Sequence, residues 1–147
     1  MGISNIEGKE AALGLVSIFK AKDQMQSVGL KGCNLGVDGA KAVAEYVSVS
    51  ASLTSLNLLN NDIGPEGVKA VADALSVNAS LTECRLRGNR YGVEGWSVIF
   101  NALRNAPNSK ITTWDLSGER LGPEIAKPLS EYISVSGSLT KLDIRWN

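Results

Sequence analysis

Acidic side chains recur at regular steps along the chain, and they are the first residues whose types and spacing could do chemistry. They follow one another at intervals of 28 residues, with one interval of 30, and comprise Glu10, Asp38, Glu66, Glu94 and Glu124. Stacked in a row, five carboxylates could bind a hard cation, because such ions prefer oxygen ligands. Each acid also follows a glycine by two residues, which suits the first turn of a helix, where a carboxylate complements the helix dipole. We interpret the column as structural and predict no metal site.

The other reactive residue types do not combine into a catalytic or cofactor site. The chain has no histidine, which excludes a Ser-His-acid triad and removes the commonest zinc ligand. Its glycines form neither a GxxxxGK[ST] nor a GxGxxG phosphate loop. Cys33 and Cys84 lie far apart without a CxxC motif, so we expect unreactive thiols in a reducing, cytoplasmic environment. The sequence therefore predicts a protein that is not an enzyme and carries no cofactor.

The charge balance bears on the class of partner. The chain carries 15 basic and 15 acidic side chains, so its formal net charge is zero. A domain that binds nucleic acid would be expected to show a basic excess. No apolar run reaches transmembrane length, and the N-terminus lacks the pattern of a signal peptide. We therefore predict another protein as the partner, rather than nucleic acid or a membrane.

An internal repeat defines the elements that must position these residues. Residues 53–80, 81–110 and 111–138 align with one another, and the alignment extends back to residue 25 and forward over 139–147. Three apolar columns recur: Met25, Leu53, Leu81, Ile111 and Leu139; Val28, Leu56, Cys84, Trp114 and Leu142; Leu30, Leu58, Leu86, Leu116 and Ile144. A turn column holds Cys33, Asn61, Asn89, Glu119 and Asn147. Apolar Leu56 and Leu58 alternate around polar Asn57, which predicts a strand with one buried face, and an apolar stripe at helical spacing follows it.

This pattern resembles the leucine-rich repeat, LxxLxLxx(N/C)xL, from about residue 8 to the C-terminus. The 28-residue period and the "IGPEG" segment that opens the second half of a repeat are similar to the ribonuclease-inhibitor-like subfamily. The resemblance implies a right-handed α/β solenoid, with a parallel sheet on the concave face and helices on the convex face. We predict a single domain over residues 1–147, with an N-terminal helical half-repeat over 1–24. Repeats then begin at about 25, 53, 81 and 111, and a partial repeat covers 139–147.

Exposed strand positions are the candidate binding residues, because the resemblance implies partner binding on the concave face. They are Asn57, Leu59, Glu83, Arg85, Arg87, Asp115, Lys141, Asp143, Arg145 and Trp146. On strands about 5 Å apart they would form one mixed-charge surface. Arginine and tryptophan are over-represented among binding hot spots, although opposite charges could simply pair across the strands for about 0.2–1 kcal/mol each. For the face as a whole we favour binding.

The function that follows is a non-catalytic protein-interaction module that binds through its concave sheet. One alternative is a regulatory factor of the GTPase-activating type, because some relatives with this repeat resemble Ran GTPase-activating proteins. We find no residue here that carries that activity over. A second alternative is a structural subunit whose open end is covered by another chain.

The fourth repeat departs most from the pattern. Glu119 replaces the turn asparagine, and a carboxylate accepts hydrogen bonds but cannot donate them. Pro128 falls inside the expected helix, which it should kink or shorten. A two-residue insertion precedes this repeat, within residues 105–110. We therefore expect the outer face to be least regular here.

The two ends of the chain match the repeat incompletely. At the N-terminus, residues 8–21 predict a helix without its strand. At the C-terminus, residues 139–147 predict a strand that pairs with the one before it but lacks the following helix. We therefore expect a fragment of a longer repeat protein, or else a subunit whose last strand is covered. Self-association through this uncapped strand is a further expectation.

Overall fold

The computed structural model describes residues 2–3 and 9–147. The recurring glycine that the sequence analysis places at Gly8 lies outside these residues. The elements in chain order are β1 (Gly2–Ile3), α1 (Lys9–Lys22), β2 (Ser27–Gly29), α2 (Gly36–Val49), β3 (Ser55–Asn57), α3 (Gly64–Val77), β4 (Glu83–Arg85), α4 (Gly92–Arg104), β5 (Thr113–Asp115), a 3₁₀ helix (Pro123–Ile125), α5 (Ala126–Val135) and β6 (Lys141–Asp143).

The strands form one parallel sheet in the order in which they occur along the chain. Residues in the same sequence column lie opposite each other, as in the pairing of Val28 with Leu56 and of Leu56 with Cys84. This architecture confirms the predicted α/β solenoid of alternating strands and helices. One expectation was wrong: the N-terminal helix does not lack a strand, because Gly2 and Ile3 pair with Ser27 and Val28. Two residues are too short a segment to show a strand period in the sequence.

The core lies between the sheet and the helices. The central residue of each strand from β2 to β5 points inward and is buried, as are the leucines two residues later; these residues are Val28, Leu30, Leu56, Leu58, Cys84, Leu86, Trp114 and Leu116. The helices meet them with small or branched side chains, and Ala40 and Ala72 are fully buried. Alanine has no bulk beyond Cβ, so it lets the helices approach the sheet closely.

Glycine and acid residues begin the helices in the way that the repeat pattern predicts. Gly64 has a φ of 66°, in the left-handed region that glycine tolerates, and its amide donates to the Asn89 carbonyl at 3.1 Å. Pro65 follows at the first turn of α3, where a missing amide costs no helical hydrogen bond. Glu66 lies in the same turn. Its position fits the structural interpretation of the acidic column.

Buried asparagines join the turns of neighbouring repeats. The Asn61 Nδ2 atom donates to the carbonyls of Leu30 and Leu58 at 2.7 and 3.0 Å, and its Oδ1 atom accepts from the Cys33 amide at 2.9 Å. Asn89 donates to Leu58 and Leu86 in the same way. Because both residues are completely buried, each side chain satisfies backbone groups that water cannot reach.

Glu119 interrupts this series, and aromatic side chains compensate for it. Its carboxylate accepts from the Gly88 amide at 2.8 Å and from the Trp96 indole Nε1 at 3.0 Å. An asparagine there could have donated to the Leu86 carbonyl, but a carboxylate cannot. The Tyr91 hydroxyl donates to that carbonyl instead. Glu119 in the turn column is thus accompanied by two aromatic residues of the preceding repeat, Tyr91 before α4 and Trp96 within it.

The fourth repeat has a shortened α-helix. Its segment begins as a 3₁₀ helix, and α5 then covers 10 residues, compared with 14 in α3. Pro128 is the third residue of α5, within the first turn, where its missing amide removes no helical bond. The predicted shortening of the helix is confirmed.

Aromatic rings fill the space between the third and fourth repeats. Trp96 lies 5.8 Å from Phe100 and 5.9 Å from Trp114 between ring centroids, and Phe100 stacks on Tyr132 at 5.3 Å. All four side chains are almost completely buried. The second repeat has smaller residues at three of the positions of this aromatic cluster, Val68, Ala72 and Leu56, whereas the position of Tyr132 also holds a tyrosine, Tyr46, in α2.

Two further observations concern the surface. No helix in the described part of the chain is both long and apolar enough to cross a membrane. Ile144 is 52% exposed, although the residues of its column in the earlier strands are buried. The expected self-association through the last strand remains a prediction.

Candidate partner-binding surface

The candidate surface is the face of the sheet that is turned away from the helices, here called the concave face. Successive side chains of a strand point to opposite faces of the sheet, so every second residue of each short strand lies on the concave face. In β4, Cys84 is buried in the core, while Glu83 is half-buried and Arg85 is exposed on the concave face. The same alternation in β5 places Thr113 and Asp115 on this face on either side of buried Trp114.

Most arginines of the concave face are engaged in ion pairs. Arg85 pairs with Glu83 of its own strand at 2.6 Å. Arg87 reaches the next repeat, pairing with Asp115 at 3.3 Å and donating to the Ser117 hydroxyl. Cross-strand pairing, the alternative to binding that the sequence left open, therefore occurs at Arg87 but not at Arg85. Such exposed pairs contribute little to stability, so their charges remain available to a partner.

Asp143 forms the tightest carboxylate contact of the surface. Arg145 donates to it through Nε at 3.0 and 3.1 Å and through Nη2 at 2.6 Å, and the Arg145 amide also donates at 3.1 Å. These bonds from Arg145 lower the pKa of Asp143 to about 2. At Asp115 burial raises the pKa, but hydrogen bonds from Ser117 and the charge of Arg87 hold it below its usual value. Both carboxylates therefore stay ionised at neutral pH.

Replacing Arg145 with methionine is expected to raise the pKa of Asp143 from about 2 toward the ordinary aspartate value of about 3.9. The folded pKa is depressed, so the stabilisation by this pair is present above about pH 4 and is lost as the pH falls toward 2. The measurement is a pH titration of the Asp143 carboxyl ¹³C shift. The control is Arg104→Met, which removes a distant arginine on α4; an unchanged midpoint in Arg145→Met would contradict the assignment.

A depression of about 340 Å³ lies in the concave face between β4 and β5. It is lined by Leu59, Glu83, Cys84, Arg85, Leu86, Arg87, Thr113, Trp114, Asp115, Lys141 and Asp143. Charged side chains therefore surround a floor that is partly apolar. Its position coincides with a local opening of the sheet: β3 and β4 pair over three residues, but β4 and β5 pair only at Glu83 and Thr113.

The structure brings together most of the residues that the sequence singled out. Leu59, Glu83, Arg85, Arg87, Asp115, Lys141 and Asp143 line the depression. Asn57, Arg145 and Trp146 lie outside that lining. Asn57 has a local role, because its Oδ1 atom accepts from the Leu59 amide at 3.1 Å. The role of all ten in binding remains a prediction.

Trp146 is the most exposed large apolar residue on this side of the molecule. It is 79% exposed, and the Arg145 guanidinium lies 5.3 Å from its ring centroid. The φ of Trp146 is 58°, in the left-handed region. The equivalent positions of the earlier repeats, one residue before the turn column, hold Gly32, Asn60, Gly88 and Gly118. A left-handed tryptophan costs more than glycine there, and such strain is concentrated at functional sites.

Sequence reasoning missed several residues of the depression. Thr113 stood in an exposed column but was not among the candidates, and Trp114, Cys84 and Leu86 were assigned only to the core. Ser117 also lies on this face, where its hydroxyl is shared between Asp115 and Arg87. The repeat pattern departs at this junction, through the two-residue insertion within residues 105–110 and Glu119 in the turn column, but these departures do not show that core residues reach this surface.

The remaining candidates for chemistry are accounted for by the fold. Burial raises the pKa of both thiols, Cys33 and Cys84, so neither is a thiolate at neutral pH. Within the described residues, no group of three or more acidic, cysteine or histidine side chains could hold a metal ion.

Comparison with known proteins agrees with this architecture. A family model described as leucine-rich repeat matches residues 49–72. The structure of the leiomodin-1 actin-binding site 2 superposes with a TM-score of 0.77 at 18% identity, covering 92% of this chain and 78% of that one. The C-terminal domain of tropomodulin from Caenorhabditis elegans gives a TM-score of 0.66 at 18% identity, covering 91% of this chain and 83% of that one. No curated protein sequence matches significantly.

Proposed function

We propose that this leucine-rich repeat protein is a non-catalytic interaction module that binds a partner protein through its concave face. The observation that carries the proposal is the depression between β4 and β5, which is ringed by charged side chains from three strands. Interface hot spots favour such partly enclosed sites, where a charged rim surrounds a less polar floor. The exposed Trp146 adds a large apolar contact beside them.

Several considerations support a binding role rather than catalysis. The chain has no histidine to act as a general base. Its two thiols are buried with raised pKa values and cannot supply a thiolate nucleophile at neutral pH. We further assign the repeats to the ribonuclease-inhibitor-like type with a 28-residue period, and the protein to the cytoplasm.

The mixed charge of the concave face supports a protein as the partner. The depression is lined by equal numbers of positive and negative side chains: Arg85, Arg87 and Lys141, and Glu83, Asp115 and Asp143. A uniformly negative partner such as nucleic acid would be repelled by the carboxylates. Actin is a defined first partner to test, since the leiomodin-1 structure that shares this fold is that of an actin-binding site.

Reversing two charges at the rim is expected to weaken partner binding by about tenfold to a hundredfold, because like charges would then face the complementary surface. The variant is Arg85→Glu/Arg87→Glu. Partners are captured from lysate with the wild-type chain, identified, and then titrated as purified proteins by calorimetry, with actin titrated in parallel.

The matched control is Lys41→Glu/Lys69→Glu, which makes the same charge change on α2 and α3, on the helical side. Binding should survive in the control and fail in the rim variant. If the rim variant keeps full affinity for every partner, the concave face is not the binding surface.

A further inference from the structure

We propose that the depression between β4 and β5 receives a single carboxylate side chain, a glutamate or aspartate from the partner protein. This inference rests on the proposed function, since it names the partner group that the concave face recognises. Three features of the site carry it: an interrupted backbone ladder, an uncompensated positive charge and a ring of carboxylates that excludes polyanions.

The backbone ladder is interrupted where the depression lies. The Leu58 amide donates to the Arg85 carbonyl at 2.8 Å, and the Leu116 amide donates to the Asp143 carbonyl at 2.8 Å. The equivalent bond from the Leu86 amide to the Asp115 carbonyl is not formed within the described residues. The next amide that would continue the ladder, that of Gly88, donates to the Glu119 carboxylate. The Leu86 amide thus lacks the ladder partner of its counterparts, and an oxygen acceptor entering the depression would satisfy it.

The charges in and immediately beside the depression favour an anion. Arg85 is neutralised by Glu83 and Arg87 by Asp115. The third acid, Asp143, is held by Arg145, which lies outside the lining. Lys141 makes no ion-pair contact with a described residue, although its charge also lowers the pKa of Asp143. With Arg145 counted beside the lining residues Arg85, Arg87 and Lys141, four cations face the three acids Glu83, Asp115 and Asp143, so one positive charge is left over. A carboxylate next to Lys141 would complete the charge balance.

Size and surroundings narrow the ligand to one acidic side chain. The volume of about 340 Å³ is at the lower end of the range for ligand pockets, which begins at about 300 Å³. Leu59 and Leu86 in the lining can contact the methylene groups of a glutamate. Glu83, Asp115 and Asp143 surround the site, so a chain of phosphates would be repelled where a lone carboxylate is accepted.

The direct test is a titration of the ¹⁵N-labelled full chain with N-acetylglutamate N-methylamide, followed by NMR. We expect saturable shifts of the Leu86 and Thr113 amides at millimolar concentrations, with at least tenfold weaker binding of the corresponding glutamine compound. Equal binding of the two compounds, an absence of shifts at these amides, or tighter binding of inorganic phosphate would overturn the proposal.

Two variants test the site itself. Thr113→Trp fills the depression from β5 without changing a charge, and Lys141→Met removes the unpaired cation. We expect the first to abolish binding of the glutamate compound and the second to weaken it about tenfold. The matched control is Ser27→Trp, which introduces the same side chain in the same column of β2, outside the lining. Thermal melts verify that each variant folds, and equal loss in the control would overturn the assignment.

The same variants separate this inference from the proposed function. If a partner protein loses affinity for Arg85→Glu/Arg87→Glu but binds Thr113→Trp normally, the concave face binds and the carboxylate site is refuted. If the glutamate compound binds at Leu86 but partner proteins bind Arg85→Glu/Arg87→Glu with unchanged affinity, the carboxylate site is supported and the wider proposed interface is refuted.

Discussion

Replacing Asn61 with alanine is expected to lower the free energy of unfolding by about 3 to 5 kcal/mol, because each buried polar group left unpaired costs about 1–3 kcal/mol. The Asn61 amide group serves the Leu30 carbonyl of the preceding repeat, and its oxygen serves the Cys33 amide. It also donates to the Leu58 carbonyl, which keeps the amide group of Asn89 in the variant. Asn61 is completely buried, so water cannot take over these bonds without opening the turn. The loss is large relative to the roughly 5–15 kcal/mol of a typical domain.

Urea denaturation followed by circular dichroism measures this effect. The control is Asn101→Ala, which changes the same residue type at an exposed position on α4 and should shift stability by less than about 0.5 kcal/mol. Equal unfolding midpoints for Asn61→Ala and the wild type would show that the asparagine series does not hold the turns together.

Replacing Trp96 with alanine is expected to destabilise the protein by about 3–5 kcal/mol, the usual cost of removing a large buried aromatic side chain. Trp96 is completely buried and contacts the rings of Tyr91, Phe100 and Trp114. Its indole also donates to Glu119 at 3.0 Å. Removing the indole leaves a cavity in the core. It also removes one of the two hydrogen-bond donors to the Glu119 carboxylate and leaves only the Gly88 amide.

Hydrogen exchange distinguishes where the damage falls. Solenoid repeats contact mainly their neighbours, so α5 and β6 should lose protection more than α2 and α3 in Trp96→Ala. The control is Val98→Ala on the same helix, whose side chain is 37% exposed and should cost far less. A uniform loss of protection along the chain would contradict a local role for the aromatic cluster.

The Trp96 prediction also bears on the binding surface. Glu119 links the Trp96 indole to the Gly88 amide, in the turn that follows Arg87. Arg87, which immediately precedes that turn, lines the depression and reaches across to Asp115. The core and the concave face are therefore coupled at the junction of the third and fourth repeats, where the repeat pattern is least regular.

The sequence by itself determined the solenoid, because the same positions of every stacked repeat are buried and must therefore hold apolar residues. The central residue of each three-residue strand points into the core and must therefore be apolar. Leu56 and Cys84 occupy this central position in neighbouring strands. Pro128 likewise predicted the shorter α5, since the ring of proline is incompatible with a helix interior. These features depend on local chemistry and period alone.

Only the tertiary structure decided how the concave face is arranged. Arg85 could have paired with Asp115 but reaches Glu83 instead, because the choice depends on side-chain conformations that no spacing specifies. The opening between β4 and β5 occurs beside the aromatic cluster and the Glu119 turn, where contacts come from residues about 20 to 30 positions apart, such as Trp96 and Glu119. A column pattern records which residues are buried, but it cannot record how far two strands separate when bulky side chains pack behind them.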